Sequence, residues 1–369
     1  MRRVAVFFGG KSCENEISVL TGVFVLNVLD RTKFIPVPIY IHTDGGAYTS
    51  PNMTDIQVFK EKKFSSFTRV FFDGGVLYAF GKRNKIKRLW KIDCALNCCH
   101  GGLGEGGGVS ALSAWNEIPL ASPDLTASGV FLDKCTTKTV LGALGVPFVD
   151  YLRVNERDYQ KRGAFLLKSV ASRLKYPVVV KPAHLGSSIG ITVAKNEGEL
   201  RSALESVFTL DYRAIVEKYL VDKKDVNCAA YCRNGEIIVS EPEEAFGAGV
   251  YSFEEKYIKR GDLKTRGGGR YALNGDLRDK IRSYTRTVYK RMNLRGVVRM
   301  DFLVAGNKAY LCEVNTVPGS LAYYLFCERV SDARAFFTDL LEEAIATAKA
   351  EEKEILSTGI LSTTRVRKK

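Results

Sequence analysis

The sequence predicts an α/β protein, with an open, mostly parallel α/β domain at its N-terminal end and an α+β arrangement in its C-terminal half. Three observations predict this. Residues 3–41 alternate an apolar run, a glycine turn, a helical stretch and a second apolar run. An apolar run over 91–99 leads into a glycine-rich loop and another helical stretch. Beyond residue 222, β-prone runs flank short turn signals at Asn234-Gly235 and Ala305-Gly306-Asn307, as hairpins do. The 369 residues leave room for two or three domains, and 46% apolar content fills real cores. The expected partition is 1–122, 123–221, 222–352 and a basic tail over 353–369.

Composition removes several function classes. No run of eighteen apolar residues is present, so no spanning helix and no membrane role is expected. The N-terminal apolar run lacks a cleavage site and reads as a first strand rather than a signal peptide. Nine scattered cysteines without Cys-x-x-Cys spacing suit a reducing cytosol. None of the three histidines (His42, His100, His184) has zinc-like spacing. The net charge of +14 is spread along the chain, and its dense runs at 82–88 and 365–369 carry no nucleic-acid recognition motif. A basic cleft for an anionic small molecule fits better.

In chain order, a strand over 3–8 is followed by Gly9-Gly10-Lys11-Ser12 and a helix over about 17–29. A P-loop is rejected because its first glycine falls on Ala5. The layout still sets backbone N–H groups and Glu16 at the strand's carboxyl end. Glu16 reads equally as a partner for a substrate ammonium or as a first-turn helix charge. A strand over 34–41 follows, then an unclear stretch with a hairpin around Asp73-Gly74-Gly75. The loop from His100 contains Gly-x-Gly-x-x-Gly at 102, 104 and 107, a weak match by itself, and precedes a helix over 109–116.

A helix over 133–144 carries Lys134 and Lys138, and a strand over 176–183 ends at Lys181. The small residues Gly186-Ser187-Ser188-Ile189-Gly190 then form a loop suited to phosphates, with Lys181 as cation. The strand ending at Glu217 and Lys218 offers backbone groups to an adenine edge, and Asp225 offers a carboxylate to ribose hydroxyls. The polar, glycine-rich segment 241–271 reads as a lid. Helices are expected over 276–292 and 332–352.

Between those helices lies the expected hairpin of 299–304 and 309–319. With a three-residue turn, position 301 faces 311 and 299 faces 313, so Arg299, Asp301, Glu313 and Asn315 share one side of the sheet. A two-residue turn would split them. Two carboxylates and a carboxamide oxygen suit Mg²⁺, and the arginine suits a developing anion. An exposed polar hairpin is the competing reading.

The order of these motifs is more specific than any one of them. Phe8-Gly9-Gly10-Lys11-Ser12 with Glu16, His100-Gly101-Gly102-Leu103-Gly104-Glu105, Asp133-Lys134, Val180 to Ser188, Glu217-Lys218, Glu255-Lys256-Tyr257, Arg299-x-Asp301 and Glu313-x-Asn315-Thr316-x-Pro318-Gly319 follow one another. In this the chain resembles the ATP-grasp superfamily and, within it, the D-alanine–D-alanine ligases of peptidoglycan synthesis, over nearly its whole length. The resemblance implies an ATP-grasp fold, a cytoplasmic homodimer, small amino-acid substrates, ATP, and two Mg²⁺ or Mn²⁺ ions. It implies that Lys134, Lys181 and Ser188 hold ATP phosphates, and that Glu217, Lys218, Tyr219, Leu220 and Asp225 line the adenine–ribose site. Asp301, Glu313 and Asn315 would bind the metal ions. Glu16, supported by Ser187 and Tyr257, would hold the first alanine's ammonium. Arg299 and the backbone near Gly319 would stabilise an oxyanion, while His100, Lys256, Gly319 and Leu325 would complete the substrate site. Three positions depart from the family pattern: Asn15 stands where His is common, Gly106 where Asp is common, and Tyr324 where a serine usually contacts the second alanine's carboxylate. Tyr324 opens the alternative of a different acceptor, and a non-catalytic nucleotide binder is the other alternative. Tyr257 favours an amine acceptor, since depsipeptide-forming members often carry Phe there.

Overall fold

The computed structural model describes residues 1–81, 85–244, 275–354 and 356–360. It contains three sheets. The first has seven strands in the order β6-β5-β4-β3-β2-β1-β7. Its centre is β1 (Arg2–Gly9), parallel to both β2 (Phe34–Ile41) and β7 (Cys94–Asn97). Successive side chains alternate between two buried faces, so β1 reads as an unbroken apolar run. Val4, Val6 and Phe8 pack under helix α1 (Asn15–Val28), while Ala5 and Phe7 belong to the core on the other side. The stretch that the sequence left unclear supplies β3 (Ala47–Thr49), β4 (Thr68–Asp73), β5 (Val76–Phe80) and β6 (Ile86–Lys91), joined antiparallel to β2 and to one another. Parallel pairing is therefore confined to the β2-β1-β7 side, which meets the site.

Helix α2 (Ile56–Lys60) lies between β3 and β4, and α3 (Val109–Trp115) follows β7. Two helices then lead out of the first sheet, α4 (Leu125–Leu132) and α5 (Lys134–Ala143). Asp133 ends one and caps the other, its Oδ1 accepting from Cys135 N at 2.8 Å and Thr136 N at 3.2 Å. The second sheet is antiparallel, β10-β9-β11-β8, built from β8 (Tyr151–Asn155), β9 (Val178–Pro182), β10 (Thr192–Ala194) and β11 (Arg213–Lys218). Val178, Val180, Ala214 and Val216 face α6 (Glu156–Arg173) and α7 (Glu197–Phe208) in one core. The strand period of two therefore turns Lys181, Ile215 and Glu217 the other way.

The third sheet comprises β12 (Lys224–Arg233), β13 (Glu236–Val239), β14 (Glu243–Glu244), β15 (Val298–Ala305) and β16 (Lys308–Asn315). Val298, Met300, Phe302, Leu311 and Val314 form its core with Ile281 and Val288 of α8 (Gly275–Arg291). The hairpin turn has two residues, Gly306 and Asn307, because Ala305 pairs with Lys308. That register alone would have scattered the polar residues. A bulge between Asp301 and Phe302 leaves Cys312 as the extra residue, so Asp301 faces Glu313 and Arg299 faces Asn315. One inserted residue thus restores the shared face that the sequence assigned to a three-residue turn. The final helix, α9 (Ala333–Glu351), returns to the first sheet, where Phe336, Phe337, Leu340 and Leu341 join Leu26, Phe34 and Leu96 in a core that also takes in Tyr231. Among the described residues no helix is long and apolar enough to cross a membrane.

Candidate active site

A cavity of about 610 Å³ lies where the carboxyl ends of β1 and β7 meet the polar side of β15 and β16 and the loop after β9. Ten residues singled out from the sequence line it: His100, Lys134, Ser187, Asp225, Arg299, Asp301, Glu313, Asn315, Gly319 and Tyr324. Arg299 grips Asp301 with two parallel bonds, Nε to Oδ1 at 2.7 Å and Nη2 to Oδ2 at 2.9 Å. Its Nη1 donates to the Tyr324 hydroxyl at 3.2 Å, and Asn315 Nδ2 donates to Asp301 Oδ2 at 3.0 Å. Across the cavity Lys134 Nζ lies 2.9 Å from Glu313 Oε1 and donates to the Leu185 carbonyl.

The sequence placed Glu16 here, and the structure corrects that. Glu16 is exposed on α1 and Glu14 is buried at the helix's start. Two positions along a helix rotate a side chain by about 200°, so only one of the pair can face the cavity. Glu14 lines it and accepts a short hydrogen bond from the Ser187 hydroxyl. Its carboxylate sits in a glycine cradle: a β-carbon on Gly101 would come within 2.6 Å of Glu14 Oε2, and one on Gly186 within 2.9 Å.

His100 lines the cavity with both ring nitrogens engaged. Nδ1–H donates to the Val317 carbonyl at 2.7 Å, and Nε2 accepts from Thr21 Oγ1 at 2.8 Å. Burial lowers its pKa to about 4, the Val317 bond opposing and Arg299 adding to the effect, so the ring is neutral. Thr21 Oγ1 in turn accepts from Ser320 N at 3.2 Å. His100 therefore shapes the turn that presents Gly319. Directly after it, Ser320, Leu321 and Ala322 hold φ of 51°, 51° and 47°, a left-handed run that costs about 1–2 kcal/mol per non-glycine residue.

The remaining predicted residues lie elsewhere. The Glu217 carboxylate is buried between Lys138 Nζ at 2.9 Å and Lys181 Nζ at 2.5 Å, so its side chain organises the lysines rather than lining the cavity. Lys181 stays charged: burial works against the ammonium, but Cys312 at 3.5 Å and Glu217 hold its pKa above the ordinary value. Lys218 is exposed, while Tyr219 and Leu220 are half-buried beyond β11. Ser188 sits in the loop with φ of 60°. Leu325 packs against the core shared by α1 and α9 instead of lining the cavity. Lys256 and Tyr257, with residues 245–271 of the expected lid, lie outside the described residues.

Two family models cover the chain, the D-ala D-ala ligase N-terminus over residues 3–123 and the D-ala D-ala ligase C-terminus over 140–346. The chain belongs to the D-alanine–D-alanine ligase family. It is similar to the D-alanine--D-alanine ligase of Thermosipho africanus, 34% identical over 334 residues and 88% of each chain. The crystal structure of the Helicobacter pylori D-alanine-D-alanine ligase matches with a TM-score of 0.75 at 26% identity, over 94% of this chain and 98% of that one. VanG, a D-Ala:D-Ser ligase from Enterococcus faecalis, shares the fold with a TM-score of 0.75 at 22% identity, over 94% and 99%. The fold is thus ATP-grasp, and the chain is an ATP-dependent ligase of this family.

Two groups of this ligase's cavity wall escaped the sequence reading. Glu105 was quoted within a glycine motif and given no role. Its carboxylate accepts from Gly101 N at 2.8 Å and Val317 N at 3.2 Å, tying the loop after β7 to the turn after β16. Burial, then the neighbouring Glu14, raises its pKa to about 7. The second is His184, backed by Asp133, Asp211 and Arg213 outside the cavity lining; the four are brought together from distant segments and leave no spacing signal in the chain.

Proposed function

We propose that the chain joins two D-alanines for peptidoglycan precursor synthesis, with ATP converted to ADP and phosphate, in the reducing cytosol and as a homodimer. The observation that carries this reading is the single cavity in which the Arg299–Asp301–Glu313–Asn315 face meets Lys134 and the Glu14–Ser187 pair. The first alanine's ammonium pairs with Glu14, and its carboxylate attacks the γ-phosphate to give an acyl phosphate and ADP. Lys134 and Lys181 spread the charge of the transferring group. The second alanine's amine, having lost a proton, attacks the acyl carbon and phosphate leaves. Arg299 and backbone N–H groups near Gly319 hold the oxyanion, an effect worth about 3–4 kcal/mol per donor.

The oxygen donors fit a hard divalent cation. Asp301 and Glu313 are direct cross-strand partners and Asn315 lies beside them. Among the described residues no group of three or more His, Cys, Asp or Glu is placed to hold a metal ion, and this trio is two carboxylates and one amide. Asp301, Glu313 and Asn315 would hold Mg²⁺ or Mn²⁺, which would supply positive charge for the phosphates of ATP. Arg299 and Lys134 pair with the same carboxylates and keep them oriented. The nine free thiols support a reducing compartment.

ADP release with D-alanine alone tests the reading, followed by D-serine, D-lactate and larger D-amino acids as acceptors. Release with D-alanine alone and at most a tenth of that extra rate from any other acceptor supports it. Release that requires a second kind of acceptor transfers the assignment to Tyr324-selected chemistry, and ATP binding without turnover on any of them removes catalysis. Within this reading Glu14→Gln is expected to lower kcat/KM for D-alanine by roughly 10- to 150-fold, the cost of about 1.5–3 kcal/mol for a charged hydrogen bond. Glu16→Gln, on the exposed side of α1, leaves it within about twofold. The reverse ranking would return the ammonium site to Glu16.

A further inference from the structure

His184 begins the loop that carries Gly186, Ser187 and Ser188, and it lines the cavity. Its backbone N–H donates to Asp211 Oδ2 at 2.8 Å, and its Nδ1 lies 2.9 Å from Asp211 Oδ1. On the other edge Nε2 is 3.6 Å from Asp133 Oδ2 and 3.5 Å from the Tyr212 hydroxyl. The ring stacks on Tyr212, with centroids 5.1 Å apart and planes at 27°. The groups facing it are Asp133 from the α4–α5 junction, Asp211 and Tyr212 from the lead-in to β11, and Arg213, which pairs with Asp133 and donates to Asn155 of β8. Two carboxylates and one guanidinium leave one negative charge, which an imidazolium balances. One residue beyond this clamp, the Leu185 carbonyl accepts from Lys134 Nζ.

We propose that His184 is a positioning residue for the nucleotide phosphates: its imidazolium, held between Asp133 and Asp211, locks the serine loop against Lys134. The proposal rests on the ligase reading above and adds to it a side chain that acts through the serine loop. Ser187 and Ser188 adopt φ of 53° and 60°, conformations that persist only where the surroundings fix them, and His184 ties the loop to Asp211 in the lead-in to β11. The carboxylates of Asp133 and then Asp211, against the opposing effect of burial, raise the His184 pKa to about 9. A cation whose folded pKa is raised contributes fully below the unfolded value near 6.5, and the contribution disappears as pH climbs through about 9. The clamp is therefore closed at neutral pH and opens in alkali.

The test measures ATP binding to the full chain by titration calorimetry without amino acid, and ADP-release kinetics from pH 6 to 10. His184→Gln is expected to raise the Kd and KM for ATP about tenfold, a charged hydrogen bond being removed, with a smaller rise in the KM for D-alanine through Ser187 and a melting temperature a few degrees lower, both relieved by arginine. His184→Arg, a planar cation with donors on two sides, restores ATP affinity. The parent's KM for ATP rises above about pH 9, and that of His184→Gln stays flat. Unchanged ATP affinity in His184→Gln overturns the proposal, as does a loss shared by both substrates with a lowered melting temperature that arginine does not relieve. If the parent binds ATP but releases no ADP with D-alanine, the ligase reading fails, and the calorimetric comparison still decides the role of His184.

Discussion

Glu217→Ala is expected to destabilise the protein by about 3–5 kcal/mol at neutral pH, the cost of leaving buried charges without their partner. Glu217 is 3% exposed and Lys138 is fully buried. With the carboxylate gone, Lys138 keeps the Val149 carbonyl at 3.0 Å and the faces of Phe148 and Tyr151 at 5.3 and 5.4 Å. None of these carries a full negative charge. Lys181 keeps the Cys312 thiol at 3.5 Å. The pH dependence gives a second check. Burial raises the Glu217 pKa, but Lys181 and then Lys138 outweigh it and hold it at about 2. A lowered carboxylate pKa contributes stability above the unfolded value of 4.5 and loses it as pH falls through about 2. Urea unfolding should therefore show a gap between variant and parent that is constant at neutral pH and closes in acid. Replacing Lys138 by Met in the same chain should recover part of the loss, since the two side chains share one interaction. A variant within about 1 kcal/mol of the parent at pH 7 would mean that the lysines find other partners.

This network marks the boundary of what the chain reveals by itself. The hairpin of β15 and β16, the strand ending at Lys181 and the glycine–serine loop are local patterns, and apolar periodicity with turn residues encodes them directly. Two features were not local. Cys312 becomes the bulged residue because Phe302, Leu311 and Val314 must all reach one core and Asp301 and Glu313 must both leave it. No turn rule contains that demand. The choice between Glu14 and Glu16 depends on where the helix begins, and element boundaries are the least determined part of any sequence pattern. Within 47–91 the hairpin of β4 and β5 was legible from Asp73-Gly74-Gly75, whereas β3 is only three residues long and β6 carries exposed residues such as Lys87 and Arg88, which break the apolar signal. Helix α4 went unnoticed for the opposite reason. It is short and nearly uniformly apolar, so no polar stripe reports its period.

Asp301→Asn and Glu313→Ala are each expected to abolish ligation, lowering kcat by at least about a hundred- to a thousandfold, as when one preorganised charge donor is lost from an active site. The two carboxylates stand opposite one another, and each is claimed by a cation of the cavity: Asp301 by Arg299, Glu313 by Lys134. An asparagine at 301 presents one acceptor oxygen and one amide donor to a fork that needs two acceptors. Arg299 then loses the aim that brings Nη1 to the Tyr324 hydroxyl at 3.2 Å, and with it the fixed geometry for an oxyanion. Alanine at 313 frees Lys134, whose pKa is raised over the opposing effect of burial by Glu313 itself. Neither substitution touches the hydrophobic side of the hairpin, where Met300, Phe302, Leu311 and Val314 remain packed. Circular dichroism should therefore match the parent while ADP release falls to background; the melting temperature of Glu313→Ala should drop by a few degrees, because buried Lys134 keeps only the Leu185 carbonyl. The converse result is the more instructive one. An active Glu313→Ala enzyme would show that Lys134 needs no carboxylate to hold its place, and the divalent-cation trio would have to be sought among other oxygens of the cavity.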